Sequence, residues 1–381
     1  MQPRDRYLAV LLHGQTDRVP LMPGGPREST LRAWRHHGLA DGANYVNALE
    51  AALGFPLEHP RLAALPVHLT MIPEYEERVL ERRSGHLVVQ DWKGNVVEIA
   101  DCYDASYLRH ARDFVTRRWI RCPVMERADW PAVRDRYRAD DPRRWPADWM
   151  VRAAAHSHDT SVVMTIQVNG PFWQLREWCG FERLCELFVD DPAFVEQMIE
   201  FWADFVSGIL TRVLKHARLD RLGISEDMAF KAHSMVSPHM TRRFLLPAWK
   251  RWVDQVRSAG CPLVDMDSDG YIGELIPIWL DAGINVCDPV EVAAGNDLPA
   301  YAGVCGRRMA WFGGVDKRAI AQGGVTMRRE LERLAPVIEA GGYIPSCDHA
   351  IPPDISWPDF VAYAQTLAHY CGYASAGAGL G

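Results

Sequence analysis

Short apolar runs alternate with helix-like segments along most of this chain. Beginning at residue 161, such runs occupy six ranges, each followed by a segment with helical periodicity: 161–168, 219–225, 262–266, 283–287, 309–312 and 342–345. Earlier apolar runs at 19–22 and 67–72 add two strand candidates. Eight alternating strand and helix units predict an α/β fold, a closed (β/α)8 TIM barrel.

The pattern changes between residues 76 and 100, where polar and apolar positions alternate with the period of a strand. Ser84-Gly85 and Lys93-Gly94-Asn95 interrupt that alternation at places typical of tight turns. We therefore predict a small antiparallel insertion near residues 76–100 of a single barrel domain that spans 1–373. The Gly- and Ala-rich residues 374–381 are predicted to form a flexible tail.

The stretch from Cys261 to Tyr271 carries three carboxylates at the end of a predicted buried strand. Asp265, Asp267 and Asp269 would share one face, because strand side chains repeat at every second residue. Carboxylates this close repel one another unless a metal, a substrate cation or a basic side chain lies among them. The alternative is a turn cluster, since Asp, Ser and Gly are the common residues of tight turns.

Polar side chains concentrate after the predicted strands, as expected for a barrel with its active site at the C-terminal face. Besides the acidic stretch, the residues expected at this mouth are Arg27, Glu226, Asp288, Glu291, Asp316 and His349. Arg27 lies on a Gly- and Pro-rich loop that enters a helix, where it could bind an anion or form an ordinary surface ion pair.

Several aromatic residues lie near the predicted strand ends and could line a substrate pocket. They are Trp173, Trp178, Phe230 and Trp311. Packing is the alternative interpretation, because the chain has 14 tryptophans and most of them must be placed in the core or on the surface.

Composition narrows the possible functions. The 381 residues carry a formal net charge of −7, which argues against a general nucleic-acid-binding surface. The nine cysteines are scattered without a CxxC pair, as in proteins with reduced thiols. The polar N-terminus and the lack of any apolar run of membrane-spanning length lead us to expect a soluble, cytoplasmic protein.

Several motifs resemble those of the uroporphyrinogen decarboxylase superfamily. The strongest are Asp267-Ser-Asp-Gly-Tyr-Ile, Asp288-Pro289-Val-Glu291, Gly313-Gly314-Val-Asp316-Lys317 and Pro345-Ser-Cys-Asp348-His349-Ala-Ile-Pro352. The N-terminal Asp17-Arg18-Val-Pro20 is also similar. The resemblance implies a barrel fold and two possible chemistries: decarboxylation of a porphyrinogen without a cofactor, or methyl transfer to or from a corrinoid.

The resemblance is greater to the methyltransferase branch. The decarboxylase branch binds its substrate with an arginine-rich loop after the first strand, and here that loop supplies only Arg27. The methyltransferase branch holds zinc with a His-x-Cys pair and a later Cys. Alignment on the following glycine places Asp267, Asp269 and His349 at those positions, with Cys347 two residues before the last. These residues imply a divalent metal, with zinc the family's ion, held by harder ligands.

The expected function is therefore demethylation of a small methoxylated, aromatic substrate. The methyl group would pass to a corrinoid on a separate protein, and the metal would activate the leaving oxygen. Glu226, Tyr271 and Arg27 are the candidate catalytic residues. The candidate substrate-binding residues are Trp173, Phe230, Asp288, Glu291 and Trp311. The alternatives are a cofactor-independent decarboxylase and a barrel that only binds a ligand.

Overall fold

A computed structural model of the chain describes residues 1–103, 107–110 and 115–373. The tail predicted at 374–381 lies outside these residues. The strands are β1 (Arg61–Ala64), β2 (Arg78–Arg83), β3 (His86–Gln90), β4 (Val96–Ala100), β5 (Arg118–Arg121), β6 (Val162–Asn169), β7 (Arg221–Ser225), β8 (Leu263–Asp267), β9 (Val286–Asp288), β10 (Ala310–Val315) and β11 (Tyr343–Cys347).

Helices follow most of the strands and cover the sheet. They are α1 (Pro3–Leu11), α2 (Glu28–His36), α3 (Tyr45–Leu53), α4 (Tyr107–His110), α5 (Trp130–Arg134), α6 (Trp149–His158), α7 (Pro171–Cys179), α8 (Phe181–Asp190), α9 (Pro192–His216), α10 (Pro238–Met240), α11 (Leu246–Ser258), α12 (Ile276–Ala282), α13 (Leu298–Cys305), α14 (Lys317–Gln322), α15 (Gly324–Ala340) and α16 (Trp357–Tyr370). No helix among the residues described is long and apolar enough to cross a membrane.

The central sheet has seven parallel strands in the order β1-β6-β7-β8-β9-β10-β11. Sequential strands are neighbours and are joined through helices, which confirms the predicted TIM-barrel-like α/β fold. The first strand candidate, residues 19–22, forms no ladder. The chain just after it contacts the end of β11 instead, where the backbone N–H of Cys347 donates to the Pro23 carbonyl and Pro26 forms a bridge with Ile351.

The second predicted strand, at residues 67–72, is wrong. The strand that pairs with β6 is β1, six residues earlier, whose mostly exposed side chains give no apolar run. Residues 67–72 form a loop held by the buried guanidinium of Arg144, which donates to the carbonyls of His68 and Thr70 at 2.8 and 2.7 Å. An apolar run can thus pack as a loop when another group satisfies its backbone.

The antiparallel insertion is confirmed and is larger than predicted. Strands β2 to β5 form a separate sheet in chain order, which extends to Arg121. The sheet has a small core of its own, made by Leu87, Val89, Val97, Ile99 and Leu108. Strand β5 is an edge, and all four of its residues are exposed.

Candidate active site

A cavity of about 610 Å³ lies at the C-terminal ends of β8, β9, β10 and β11. Its polar lining comes from His59, Asp267, Asp269, Asp288, Ser346, Cys347 and His349. Its apolar lining comes from Met22, Pro23, Pro26, Tyr45, Leu49, Leu57 and Phe312. The cavity therefore has the size and mixed character of a small-molecule site.

His349 and Asp269 form the central polar contact of this cavity. His349 Nε2 lies 3.4 Å from Asp269 Oδ2, although the two residues come from loops 80 positions apart in sequence. The backbone N–H of Ala350 donates to His349 Nδ1 at 2.7 Å, so the ring proton lies on Nε2. The Asp269 carboxylate raises the pKa of His349 above its ordinary value.

Asp267 lies beside this pair at the end of β8. Its Oδ2 accepts a hydrogen bond from the Ser225 hydroxyl at 3.0 Å. Burial raises the pKa of Asp267 to about 6, and the nearby carboxylates of Asp265 and Asp269 act in the same direction. This carboxylate is therefore held where its charge is unfavourable, as is common in sites kept for function.

We expect Asp267→Asn to stabilise the protein at pH 7 by about 1–3 kcal/mol relative to wild type. The pKa of Asp267 is raised from 3.8 to about 6, so its proton favours the folded state. That contribution is complete below about pH 4 and is lost as the pH rises through about 6. Urea unfolding at several pH values measures the difference. The exposed Asp354→Asn is the control, and a stability difference that does not grow between pH 4 and 7 would contradict the prediction.

Asp288 lines the cavity as predicted, and its carboxylate lies above a buried ionic cluster in the barrel interior. Arg221 forms an ion pair with the fully buried Asp265, and its Nη2 lies 3.8 Å from Asp288 Oδ2. Burial and the charge of Asp265 raise the pKa of Asp288 to about 8. Asp265 thus pairs with Arg221 and does not line the cavity, unlike Asp267 and Asp269.

The three predicted metal ligands, Asp267, Asp269 and His349, all line the same cavity. Within the described ranges, however, no three His, Cys, Asp or Glu side chains are arranged to hold a metal ion. His349 Nε2 is directed at Asp269, and Asp267 is turned toward Ser225. The side chains as placed do not fit a preformed metal site, and the divalent metal stays a prediction.

Arg27 is at the rim of the cavity. It precedes helix α2, and its Nη2 lies 3.4 Å from His349 Nδ1. Its backbone N–H donates to the Ile351 carbonyl, which fixes the loop after residue 22 against the end of the barrel. The predicted catalytic position of Arg27 is therefore next to the polar pair.

Glu226 does not face the cavity, contrary to its predicted catalytic position. Its side chain is fully buried, with Oε1 accepting from Trp249 Nε1 at 2.7 Å and Oε2 from the Trp173 backbone at 3.0 Å. The carboxylate thus binds the backbone at the start of α7. Its position is structural, and a sequence pattern alone does not distinguish such a residue from a catalytic one.

We expect Gly170→Ala to destabilise the fold by about 1–3 kcal/mol, because the new methyl group would collide with the buried side chain of Glu226. A Cβ at Gly170 would lie 2.1 Å from Glu226 Cδ, in a place where neither group can move without losing its hydrogen bonds. Thermal unfolding measures the change. Gly303→Ala, on α13 with no atom within 4 Å of the new Cβ, is the control and is expected to change stability by less than about 1 kcal/mol. Equal effects at both glycines would contradict the prediction.

Two other predicted site residues, Tyr271 and Glu291, do not line the cavity. The hydroxyls of Tyr271 and Tyr301 both lie against Gly273, and the Tyr301 hydroxyl donates to Asn296 Oδ1 at 3.1 Å. Glu291 Oε1 accepts from Lys317 Nζ at 3.0 Å, and Oε2 accepts from the Gly270 backbone at 3.2 Å. Glu291 therefore joins two loops of the mouth and does not line the cavity.

The predicted aromatic pocket does not form. Trp311 is buried, stacks on Tyr301 and lines a different cavity of about 330 Å³. Trp173 lies under the guanidinium of Arg176, and Phe230 is 51% exposed. The fourth candidate, Trp178, is fully buried against Trp130, Tyr137, Phe201 and Trp202. Asp316, which was also predicted to lie at the mouth, lies outside it, where it caps α14 and pairs with Arg318.

The structure adds cavity residues that the sequence did not single out. Phe312 follows Trp311 on β10 and so faces the other side of the sheet, toward the cavity. Tyr45 and His59 come from the region before β1, where no strand pattern indicated the mouth. Cys347, already noted from the sequence two residues before His349, lines the cavity too, and burial raises the pKa of its thiol to about 12, which keeps it protonated near neutral pH.

Asp227 is a further residue near the mouth, where its backbone N–H donates to the carbonyl of Asp267 at 3.3 Å. It has a positive φ of 40° and accepts from Arg176 Nη2 at 3.1 Å. A non-glycine residue in this conformation stores strain, which is characteristic of functional loops. Its position directly after β7 was the only sequence signal for it.

Comparisons with known proteins agree with this architecture. One solved structure, a methyltransferase from Methanosarcina mazei, has 12% identity and a TM-score of 0.57, and the match covers 97% of this chain and 98% of that one. A B12-independent methionine synthase from a Shewanella species matches with 12% identity and a TM-score of 0.39, covering 60% of this chain and 66% of the other. At these identities, only the first likeness carries information, and it concerns the fold.

A search of curated proteins finds no match to this sequence. The family model described as Uroporphyrinogen decarboxylase (URO-D) matches residues 123–369, well over half of the chain. The match includes β6 to β11 and the loops that carry Asp267, Asp269 and His349. The chain therefore belongs to the uroporphyrinogen decarboxylase family.

Proposed function

We propose that this protein is a methyltransferase that removes the methyl group from a small methoxylated aromatic compound and passes it to a corrinoid on a separate protein. The observation that carries the proposal is the His349–Asp269 pair, which lines a cavity of about 610 Å³ together with apolar side chains such as Leu49, Leu57 and Phe312. The fold shared with a methyltransferase from Methanosarcina mazei supports the class of reaction.

The apolar lining of the cavity suits the aromatic ring of such a substrate, and the polar lining suits its ether oxygen. The ring would pack against Leu49, Leu57 and Phe312, where its burial removes apolar surface from water. The ether oxygen would then lie toward His349, among the polar lining residues. The aspartates repel anionic substrates, so a neutral methoxylated ring fits this cavity better than a polycarboxylate.

The chemical need of the reaction is stabilisation of the leaving oxygen. The acceptor's electron pair forms the new bond to the methyl carbon, and the electrons of the broken carbon–oxygen bond remain on the aryl oxygen. In the proposed step, His349 Nε2–H leaves its contact with Asp269 and donates a hydrogen bond to that developing negative charge, and a proton from solvent completes the phenol. The Ala350 N–H at Nδ1 keeps the ring proton on Nε2.

The direct test supplies 2-methoxyphenol and free, chemically reduced cobalamin to the purified protein. We expect enzyme-dependent formation of the dihydroxy product, measured by chromatography, together with the absorbance change of cobalamin methylation. Carbon dioxide release from an aromatic acid without corrinoid would instead support the decarboxylase alternative. No turnover of a panel of methoxylated aromatics would overturn the proposal.

The predicted metal is tested separately by elemental analysis of tag-free protein. Stoichiometric divalent metal, lost in Asp269→Ala, would mean that Asp269 and His349 rearrange to bind it. Zinc is the ion expected from the family resemblance, and carboxylate and imidazole ligands are compatible with it. Absence of metal from protein that turns over would refute the prediction.

A further inference from the structure

A second and larger cavity lies outside the barrel mouth, between strand β5 and helices α7 and α8. It has a volume of about 790 Å³. Its walls carry five arginines, which we call the arginine cleft: Arg117, Arg118, Arg121, Arg176 and Arg183. Among the described residues, its acidic lining consists of Glu177 and Glu182, and Glu177 already pairs with Lys93.

The cleft is a local concentration of positive charge on an acidic protein, whose net charge is −7. Three of its guanidinium groups, those of Arg117, Arg118 and Arg121, make no side-chain hydrogen bond or ion pair with the rest of the described chain. Most other arginines on this surface are paired with carboxylates, as Arg127 is with Asp191 at 2.8 Å. Fixed, unneutralised charges of one sign favour an oppositely charged ligand.

Exposed apolar side chains accompany these charges. Trp119 and Ile120 on β5 are 43% and 46% exposed, and Phe181 at the start of α8 is 43% exposed. Strand β5 is also an edge of its sheet, so one side of its backbone has no neighbouring strand. Arginine and aromatic residues together are the composition enriched in protein–protein interfaces.

The cleft is connected to the catalytic mouth through Arg176. This residue lines the cleft and donates to the Asp227 carbonyl at 3.0 Å and to its carboxylate at 3.1 Å. The backbone N–H of Asp227 in turn donates to the carbonyl of Asp267, a residue of the cavity, at 3.3 Å. A protein bound in the cleft would therefore stand beside the cavity where the reaction takes place.

We propose that the arginine cleft is the docking surface for an acidic face of the partner protein that carries the methyl acceptor. The inference rests on the proposed function for the partner's role. A nucleic acid fits less well, because its phosphate backbone would extend beyond the cleft over the surface of a protein whose net charge is −7. The cleft contacts would position the acceptor and contribute to the rate of encounter, and the chemistry would remain at the barrel mouth.

The test compares two acceptors with two charge-reversal variants. One variant, Arg118→Glu with Arg121→Glu, alters the cleft; the other, Arg328→Glu with Arg329→Glu, makes the same change in net charge on the exposed face of α15. Each is assayed with free reduced cobalamin and with corrinoid protein purified from the source organism. We expect the cleft variant to raise KM for the corrinoid protein at least tenfold, to leave turnover with free cobalamin unchanged, and to reduce the salt dependence of KM.

The outcomes separate the two proposals. If wild type turns over neither acceptor, the proposed function fails. If wild type uses free cobalamin but not the corrinoid protein, transfer to a corrinoid stands, while the separate carrier and the docking surface are both refuted. If both variants have the same KM for the corrinoid protein, only the docking surface is refuted. Inhibition of turnover by an oligonucleotide that binds more tightly than the corrinoid protein would assign the cleft to nucleic acid and also overturn the proposal. Circular dichroism of both variants excludes unfolding.

Discussion

Replacing His349 with glutamine is expected to lower the turnover number for demethylation of 2-methoxyphenol by about 10²–10³-fold. The reason is that, in our proposal, the Nε2–H of the cavity-lining His349 exchanges its contact with Asp269, at 3.4 Å, for a hydrogen bond to the leaving oxygen. Glutamine fills a similar volume but cannot keep a donor in the position fixed by the Ala350 N–H. KM for the substrate is expected to change little, because Leu49, Leu57 and Phe312, against which the ring packs in our proposal, are unchanged.

The control for this prediction is His369→Gln, on the exposed face of α16. It makes the same chemical change far from the mouth and is expected to retain wild-type turnover. A kcat within threefold of wild type in His349→Gln, with the fold intact, would remove His349 from the mechanism. A large increase in KM with unchanged kcat would mean that the residue contributes to ground-state binding alone.

The strand-end carboxylates and His349 were predictable because two regularities support one another. Alternation along a strand gives Asp265, Asp267 and Asp269 one direction, and a parallel barrel brings the ends of its strands to one face. A residue 80 positions away, His349, then falls beside Asp269. The fold class followed from the same alternation of apolar runs and helical segments.

The failures come from contacts that a one-dimensional pattern does not contain. Glu226 follows a strand as a catalytic residue would, but the start of α7 and the Trp249 indole occupy its oxygens. Trp311 and Phe312 are neighbours on β10, so their side chains lie on opposite faces of the sheet. The sequence alone does not show which of the two faces is directed at the cavity. The loop at 67–72 looked like a strand because Arg144, which satisfies its carbonyls, lies more than 70 residues away.

The second large effect is expected beneath the site, where Arg221→Met should destabilise the protein by about 3–5 kcal/mol. Arg221 is the cation that pairs with the fully buried Asp265 and lies 3.8 Å from the Asp288 carboxylate. Its removal leaves two carboxylates together in the barrel interior without that charge. The folded protein must then bind protons there, so the loss should be larger at pH 8 than at pH 5.

Urea unfolding of Arg221→Met, Arg221→Met with Asp265→Leu, and Arg251→Met distinguishes a buried charge from lost packing. The double variant removes the cation and its partner together and should recover part of the lost stability, because the remaining charge is then only that of Asp288. Arg251 makes exposed pairs with Glu200 and Asp204, so its replacement should cost less than about 1 kcal/mol. A double variant less stable than Arg221→Met would show that Asp265 stabilises the barrel by contacts other than this ion pair.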